Sequence, residues 1–334
     1  MSRARAAIVG LSGPVLLAEE AALFRRQRPA GAILFARNVQ NPAQLAALTA
    51  AIREELGEAA PILVDQEGGR VARLKPPHWP AFPPAAVFEH RNLAAAEANA
   101  TLLAMECVAA GLDVVCAPVL DLRLPGAHAV VGDRGFSADP AEIARLAEGW
   151  VRGLQSGGAI PVLKHMPGHG RAMVDSHLEL PRVSADRAAL ADDFAPFAAL
   201  ARSGAWAMTA HLLYTALDEA LPATLSPHII AGIIRGEIGF DGVLVSDDLD
   251  MKALSGTPGE LVAAALAAGC DLALQCSGVL AETASALEGA TPLTERAEAR
   301  MQAARAARDG ASRGVSPDPI ALAARRDDLL RVSA

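Results

Sequence analysis

The sequence predicts an α/β protein, a single (β/α)8 barrel of the TIM type with extra helices at its C-terminal end. Short apolar runs recur eight times, and segments with helical spacing lie between them. Continuous apolar runs are typical of parallel strands buried on both faces, and the intervening helices complete βα units. Eight units in unbroken alternation favour a closed parallel barrel, although an open, doubly wound sheet shows similar local signals.

The predicted strands are short and apolar. They cover residues 6–11, 31–35, 61–65, 112–118, 159–165, 206–214, 242–248 and 271–276. The segment GPVLLAEE after the first run is not the G-x-G-x-x-G fingerprint of a dinucleotide site. The sequence therefore predicts no nucleotide cofactor.

Residues typical of helix ends mark several of the predicted helices. They cover residues 42–56, 93–110, 140–156, 187–203, 226–238 and 259–268. Asn41, Asp139 and Ser226 each precede a proline at the first helical position, as capping residues do. The Ala-, Arg- and Glu-rich tail predicts one or two closing helices over about 291–334. Because no linker divides the chain, we predict one domain over 1–334, with the barrel at about 6–290.

Composition and charge restrict the class of partner. The 334 residues are 52% hydrophobic and 20% charged, as in ordinary globular proteins. The net charge is −8, with no long block of either sign, which disfavours binding to nucleic acid or to a membrane. No uninterrupted apolar stretch approaches the length of a membrane span. We expect a small-molecule substrate.

The cysteines indicate a reducing compartment. The chain has four cysteines and no CxxC pair, which does not indicate a framework of disulfide bonds. A reducing compartment is the simpler interpretation, so we predict a cytoplasmic protein. The apolar run 6–18 after Arg3 and Arg5 superficially resembles a short signal peptide. Gly13 and Pro14 interrupt that run, which favours a strand, a turn and a helix instead.

Polar residues follow the apolar runs at one end of the predicted strands, where barrel enzymes carry their active sites. These residues are Asp65, Lys164, His165, His211, Asp247 and Asp248. A charged group at the end of a buried run needs a partner, water or a ligand. Because several strands end in this way, the sequence predicts a shared site at that rim.

The densest polar stretch is KHMPGHGRAMVDSHLELP, residues 164–181. In an extended segment Asp175 and His177 would share one side, and the carboxylate would orient the imidazole and raise its pKa. A proton donor near neutral pH would result. In VSDDLDM, adjacent strand residues point to opposite sides, so we predict that Asp247 faces the barrel mouth while Asp248 packs or caps the next helix.

An ionised carboxylate opposite a protonatable group is the minimum for retaining glycoside cleavage. In DQEGGRVARL, Asp65 and Arg73 could hold sugar hydroxyls or a carbonyl. A second hypothesis is a metal site formed by His165, His169, Asp175 and His177, although the neighbouring Lys164 would oppose a divalent cation. A non-catalytic sugar-binding barrel is a third. We predict no metal and no cofactor.

Several motifs follow one another along about residues 6–276: DQEGGRV, GLDVVCAPVLD, KHMPGHG followed by DSH, MTAHLLY and GVLVSDDLDM. Taken together and in order, they resemble glycoside hydrolase family three, specifically the bacterial β-N-acetylhexosaminidases of cell-wall recycling. The resemblance implies a single-domain, metal-free barrel that releases terminal N-acetylglucosamine from 1,6-anhydro-muropeptides in the cytoplasm with retention of configuration.

The resemblance also implies residue roles. Asp247 would be the nucleophile, and His177, assisted by Asp175, the acid/base. The implied sugar-binding residues are Asp65, Arg73, Arg134, Lys164 and His165. Two positions depart from the family pattern: Met166 stands where Phe is usual, and Asp250 where Ser is usual. Because a neutral histidine does not repel anions, a phosphorylase that uses phosphate instead of water stays open as an alternative.

Overall fold

The computed structural model describes residues 3–174, 180–313 and 317–331. Eight parallel strands close into a barrel in the order β1-β10-β9-β7-β5-β4-β3-β2. The barrel strands are β1 Arg5–Gly10, β2 Pro29–Leu34, β3 Ile62–Val64, β4 Val114–Val115, β5 Ile160–Met166, β7 Trp206–Thr209, β9 Leu244–Asp248 and β10 Leu272–Gln275. The predicted (β/α)8 barrel is confirmed.

One predicted strand was too long. The apolar run 206–214 is divided: β7 ends at Thr209, and Leu213–Tyr214 forms a separate short strand, β8. This strand pairs with β6, Arg182–Val183, outside the barrel. Both strands are buried and therefore apolar, so they form one continuous apolar run in the sequence. Apolar character alone does not mark where the chain leaves the barrel wall.

Helices cover the outside of the barrel. They are α1 Ala18–Gln27, α2 Pro42–Leu56, α3 Leu93–Ala109, α4 Pro140–Ser156, α5 Arg187–Ala199, α6 Pro258–Ala268 and α7 Leu280–Gly289, together with a π-helix, Ile229–Glu237. The side chains of Asn41 and Asp139 accept hydrogen bonds from the first turns of α2 and α4, as predicted. Ser226 Oγ likewise accepts from the Ile229 N–H.

The core has two parts because successive strand residues point to opposite sides of the barrel wall. Ile8 belongs to the apolar cluster that fills the barrel, whereas its neighbours Ala7 and Val9 pack in the larger cluster beneath the helices. The interior cluster also contains Met208 and Leu274. The barrel is therefore a packed core, and ligands are restricted to its ends.

The C-terminal tail contains the two helices α8, Glu295–Ser312, and α9, Pro319–Arg331. Ala297 and Met301 of α8 join the apolar cluster of the barrel interior, so this helix covers the end at which the strands begin. Helix α9 packs against α3. Within the described ranges, none of the helices combines the length and the apolar character that a membrane crossing requires.

Candidate active site

A polar cavity of about 440 Å³ opens at the end of the barrel where the strands finish. Its wall includes Asp65, Glu67, Arg73, Arg134, Lys164, His165, His169, Asp247 and Asp248. Asp65 follows β3, Lys164 and His165 lie in β5, and the two aspartates end β9. Strand ends are rigid supports, so the barrel holds these groups around one space.

The centre of the cavity wall is a cluster of two cations and two carboxylates. Lys164 Nζ lies 2.9 Å from Asp65 Oδ1 and 2.7 Å from Glu67 Oε1. Arg134 donates two hydrogen bonds to Glu67, each 2.8 Å long. Lys164 is only 2% exposed, so the carboxylates supply the stabilisation that water gives an exposed ammonium group.

The cluster fixes the charges of its members. Burial alone would raise the pKa of Asp65, but Lys164 and then Arg73 hold that pKa well below the usual range. Burial would lower the pKa of Lys164, yet Asp65 and Glu67 raise it above its ordinary value. All of these groups are therefore charged at neutral pH, and the wall presents fixed donors and acceptors to a polar ligand.

The turn after β3 is built for this geometry. Gln66 accepts hydrogen bonds from the Arg73 and Leu74 N–H groups and donates to the Leu74 carbonyl, which closes the turn. Gly68 has φ +90°, and a Cβ there would lie 2.3 Å from the Pro83 carbonyl oxygen. Only glycine fits that position. The turn sets Arg73 against Asp65, with Arg73 Nη2 3.1 Å from Asp65 Oδ2.

A buried carboxylate orients the histidines of β5 and its loop. Asp121 Oδ2 lies 2.7 Å from His165 Nδ1, and Asp121 Oδ1 accepts the backbone N–H groups of His165 and His169. Burial would raise the pKa of Asp121, but His165 and His169 lower it to about 2. An ionised carboxylate only accepts, so His165 Nδ1 carries a hydrogen and its Nε2 is left for the cavity.

Asp247 lies at the end of β9 with one oxygen restrained. Its Oδ1 accepts the Asp248 N–H at 2.9 Å, and within the described ranges no residue hydrogen-bonds its Oδ2. Burial would raise the pKa of Asp247, but His165, His211 and the Asp248 N–H together lower it. As far as the described residues show, the cavity thus contains an ionised carboxylate with one oxygen left for a ligand.

Asp248 also lines the cavity, contrary to the expectation that it would turn away from the barrel mouth. Strand β9 shifts its register against β10 between Leu272 and Leu274, so strict alternation fails at the strand end. Asp248 Oδ1 accepts the N–H groups of Asp250 and Cys276. Burial, with the neighbouring charge of Asp247, raises the pKa of Asp248 to about 6.

The predicted acid/base residues Asp175 and His177 lie outside the described residues, so their roles stay predictions. The same holds for the metal hypothesis, since two of its four ligands are these residues. Within ranges 3–174, 180–313 and 317–331, no group of three or more His, Cys, Asp or Glu residues is arranged to hold a metal ion.

Sequence reasoning missed Glu67 and Asp121. Glu67 stands inside DQEGGRV and Asp121 ends GLDVVCAPVLD, both of which we had quoted as motifs without assigning these acids a role. The available signal was an acid close behind a buried apolar run, which predicts a partner. That partner, Arg134 or Lys164 for Glu67 and His165 for Asp121, lies far away in sequence.

The closed barrel and a cavity lined by paired charges at its strand ends define a barrel enzyme that acts on a small polar ligand. The model of the glycosyl hydrolase family 3 N-terminal domain matches residues 14–308. The chain belongs to this family and is a glycoside hydrolase.

Several relatives share this family. The chain is 44% identical to a beta-hexosaminidase of Alkalilimnicola ehrlichii over 280 residues, which cover 81% of this chain and 80% of the relative. A family 3 beta-N-acetylglucosaminidase from a Paenibacillus species superposes with a TM-score of 0.86 at 31% identity, covering 97% of this chain and 67% of that one. NagZ from Neisseria gonorrhoeae, in complex with N-trifluoroacetyl-D-glucosamine, superposes with a TM-score of 0.84 at 31% identity, covering 100% and 99%.

Proposed function

We propose that this chain is a retaining β-N-acetylhexosaminidase that releases terminal N-acetylglucosamine, with Asp247 as its nucleophile. The observation that carries the proposal is the Asp247 carboxylate, ionised at a strand end inside a polar cavity, with Oδ2 unbonded by any described residue. The beta-hexosaminidase relative and the NagZ structure with a bound N-acylglucosamine support this choice of sugar.

In the proposed reaction, Asp247 Oδ2 attacks the anomeric carbon while the bond to the leaving oxygen breaks and that oxygen takes a proton from His177. Water then attacks the anomeric carbon of the glycosyl-enzyme, His177 takes the water proton, and Asp247 is released. Asp175 would orient the His177 ring. The assignment of these two residues rests on the DSH motif, because they lie outside the described ranges.

We assign sugar binding to Asp65, Arg73, Arg134, Lys164 and His165, which all line the cavity. Their mutual salt bridges support this assignment because the groups are oriented before a ligand arrives, and pre-ordered groups lose little entropy on binding. Arg73 contributes its guanidinium group to the cavity wall, where Nη2 is held by Asp65.

Charge pairing favours water over phosphate as the acceptor. The lysine and arginines of the cavity wall each have a carboxylate within salt-bridge distance: Arg70 with Asp133, Arg73 with Asp65, Arg134 with Glu67, and Lys164 with both Asp65 and Glu67. Asp247 and Asp248 add further acidic groups. The cavity wall thus holds four Lys and Arg side chains and four Asp and Glu side chains, so a dianionic phosphate would meet no net positive charge, whereas neutral water is unaffected by this balance.

The test uses release of 4-nitrophenol from its N-acetyl-β-D-glucosaminide by the wild type and by Asp247→Ala, with a chelator present throughout. We expect turnover by the wild type and at least a ~10³-fold lower kcat in the variant, since no glycosyl-enzyme can form. Added phosphate should leave the rate and the product, free N-acetylglucosamine, unchanged. An unaffected Asp247→Ala enzyme, or activity that returns only with added metal, would contradict the proposal.

We extend the proposal to the natural substrate and setting, a 1,6-anhydro-muropeptide in the cytoplasm, on the strength of the motif resemblance. The four cysteines are buried and free, as expected in a reducing compartment. We also propose that residues 1–334 form one catalytic domain, because α8 shares the apolar core of the barrel interior. Higher kcat/KM on anhydro-muropeptides than on chitobiose would support the substrate, and the reverse order would contradict it.

A further inference from the structure

We propose that His211 positions the nucleophile from the buried side of the site and that Thr224 holds His211 in place. The inference rests on the proposed role of Asp247. His211 is fully buried and does not line the cavity, so it is a positioning residue that touches no substrate. The sequence indicates only that His211 is a polar residue near a strand end, and it gives no signal for Thr224.

His211 follows β7 and reaches across to the end of β9. Its Nε2 lies 2.9 Å from the Asp248 carbonyl oxygen, and its Nδ1 lies 2.7 Å from Thr224 Oγ1. A carbonyl oxygen can only accept, so Nε2 carries a hydrogen and donates it to Asp248. The ring therefore restrains the carbonyl of the residue that follows the nucleophile.

The other end of the same backbone unit is restrained by a hydroxyl. The Asp247 N–H points to Thr209 Oγ1 at 3.4 Å, and Thr209 Oγ1 lies 2.8 Å from Thr224 Oγ1. The contacts close a ring that runs from the Asp247 N–H through Thr209, Thr224 and His211 to the Asp248 carbonyl. The dipeptide that carries the nucleophile is thus held at both ends by one buried network.

Thr224 is the shared member of this network. Its single hydroxyl hydrogen has three acceptors within reach: His211 Nδ1, the Ala210 carbonyl oxygen at 3.1 Å and Thr209 Oγ1. When that hydrogen goes to Nδ1, the His211 ring accepts at Nδ1 while it donates from Nε2 to Asp248, and Thr209 donates to Thr224. Thr224 therefore links His211 to Thr209, and loss of its hydroxyl separates the two restraints on the Asp247–Asp248 peptide.

The network matters because, among the described residues, the Asp247 side chain has only one other restraint. Its Oδ1 is tied to the Asp248 N–H, so the direction of Oδ2 follows the Asp247–Asp248 peptide. Misplacing a reacting group by about 1 Å can cost ~10²-fold in rate. Loss of the ring should therefore lower the rate of attack while leaving the sugar-binding wall of β3 and β5 intact.

The chain offers a matched control in the same turn. Ser226 is as fully buried as Thr224 and has two hydrogen bonds of its own, donating to Asp218 Oδ2 at 2.6 Å and accepting the Ile229 N–H at 3.0 Å. It has no contact with His211 or Asp247 in these bonds. Ser226→Ala therefore removes a buried hydroxyl with a purely structural role.

The experiment compares full-length Thr224→Val, Thr224→Ser, Ser226→Ala, His211→Gln and His211→Ala. For each we would measure kcat and KM on the 4-nitrophenyl glycoside, the inhibition constant of N-acetylglucosamine, and Tm. We expect Thr224→Val to lower kcat about tenfold with the inhibition constant within about twofold, and Thr224→Ser to recover most of the rate. Ser226→Ala should lower Tm and leave kcat unchanged.

Two results would overturn the inference. One is a kcat of Thr224→Val equal to that of Ser226→Ala, and the other is an increase in the inhibition constant of Thr224→Val as large as its decrease in kcat. His211→Gln keeps a donor for the Asp248 carbonyl and should lose less rate than His211→Ala; equal losses in folded enzymes would also overturn it. If the histidine variants do not fold, the threonine pair decides. Failure of the proposed function is distinct, because the wild type would then be inactive or Asp247→Ala fully active.

Discussion

The two ends of the barrel use the same chemistry for different purposes. Where the strands begin, Asp271 Oδ2 accepts from Arg235 and from the Leu244 N–H, and its Oδ1 accepts from Arg300. Where the strands finish, Asp65 accepts from Lys164 and Arg73. Both carboxylates bridge two cations, but only Asp65 faces a cavity that also contains Asp247, whose Oδ2 has no hydrogen bond from any described residue.

The two ends differ in whether the charged side chains keep atoms that have no hydrogen bond. At the end where the strands begin, Asp271 has both oxygens bonded and ties the first residue of β9 to the preceding helix and to α8. At the other end, Asp247 Oδ2 and Arg73 Nε have no hydrogen bond among the described residues. A carboxylate with both oxygens hydrogen-bonded within the protein stabilises the fold, whereas a carboxylate with an unbonded oxygen in a cavity can bind a ligand.

Among the substitutions that compare the two ends, the largest expected effect is on stability, from Asp271→Asn. Loss of the charge leaves Arg235 with no carboxylate partner among the described residues and Arg300 with only the exposed Asp241, which should cost about 3 kcal/mol in the free energy of unfolding. Because the change is remote from the cavity, kcat/KM of the folded enzyme should stay within about twofold. Denaturant unfolding and steady-state kinetics measure the two. A fall in kcat/KM that corresponds to a similar free energy would contradict the assignment of stability to one end of the barrel and of catalysis to the other.

The same substitution at the other end, Asp65→Asn, should have the reverse effect. Lys164 keeps Glu67 at 2.7 Å, and Arg73, which loses its carboxylate, lies beside the open cavity, so we expect a stability loss of about 1–2 kcal/mol, smaller than that of Asp271→Asn. The sugar would lose a charged acceptor, and kcat/KM should fall about 100-fold, or ~2.7 kcal/mol. If Asp65→Asn instead unfolds the protein while the residual enzyme is fully active, Asp65 is structural.

Glu67→Gln tests a residue that the sequence analysis missed. The amide cannot balance both Lys164 and Arg134, which Glu67 now holds in place. We expect KM on the aryl glycoside to rise about tenfold, ~1.4 kcal/mol, with a smaller change in kcat. Glu89→Gln is the matched control, since Glu89 pairs with Arg123 and does not line the cavity. Equal kinetic effects from the two variants would refute the proposed role of Glu67.

The smallest expected effect is a pH dependence from Asp248. Its pKa is raised to about 6 in the fold, so between about pH 4 and pH 6 the folded state binds a proton that the unfolded state has released. Stability from this group is therefore complete below about pH 4 and is lost as the pH rises through about 6.

Asp248→Asn imitates the neutral acid and can still accept the Asp250 and Cys276 N–H groups. The variant should be more stable than the wild type at pH 7, by about 1 kcal/mol after allowance for solvent screening, and equal to it near pH 3.5. Unfolding curves at these pH values give the difference. A variant that is less stable at pH 7 would show that the Asp248 charge is stabilising.

Much of the fold could be predicted because its signals are local. Buried parallel strands are continuous apolar runs, and capped helices begin at Asn41 and Asp139 as the sequence indicates. The predictions of secondary structure were wrong where one local sequence pattern is compatible with two different structures. Residues 213–214 are as apolar as the barrel strand before them, and the predicted helix at 226–238 forms a π-helix.

The site was predictable in part for the same reason. A polar residue after a buried run needs a partner, so Asp65, Lys164 and Asp247 could be singled out one at a time. Their partners could not be, because Lys164 meets Asp65 across 99 positions of sequence, and Arg134 meets Glu67 across 67. Pairing at such separations depends on the order in which the strands close the barrel.

The sequence by itself determined the alternation of strands and helices, the capped helix ends and the end of the barrel at which polar groups collect, since each depends on residues close in the chain. Only the tertiary structure decided which charges pair, that Asp248 turns toward the cavity at a shift in strand register, and that His211 and two threonines enclose the nucleophile's backbone. The physical reason is that electrostatic and hydrogen-bond energies depend on distances between strands, and closure of the barrel sets those distances.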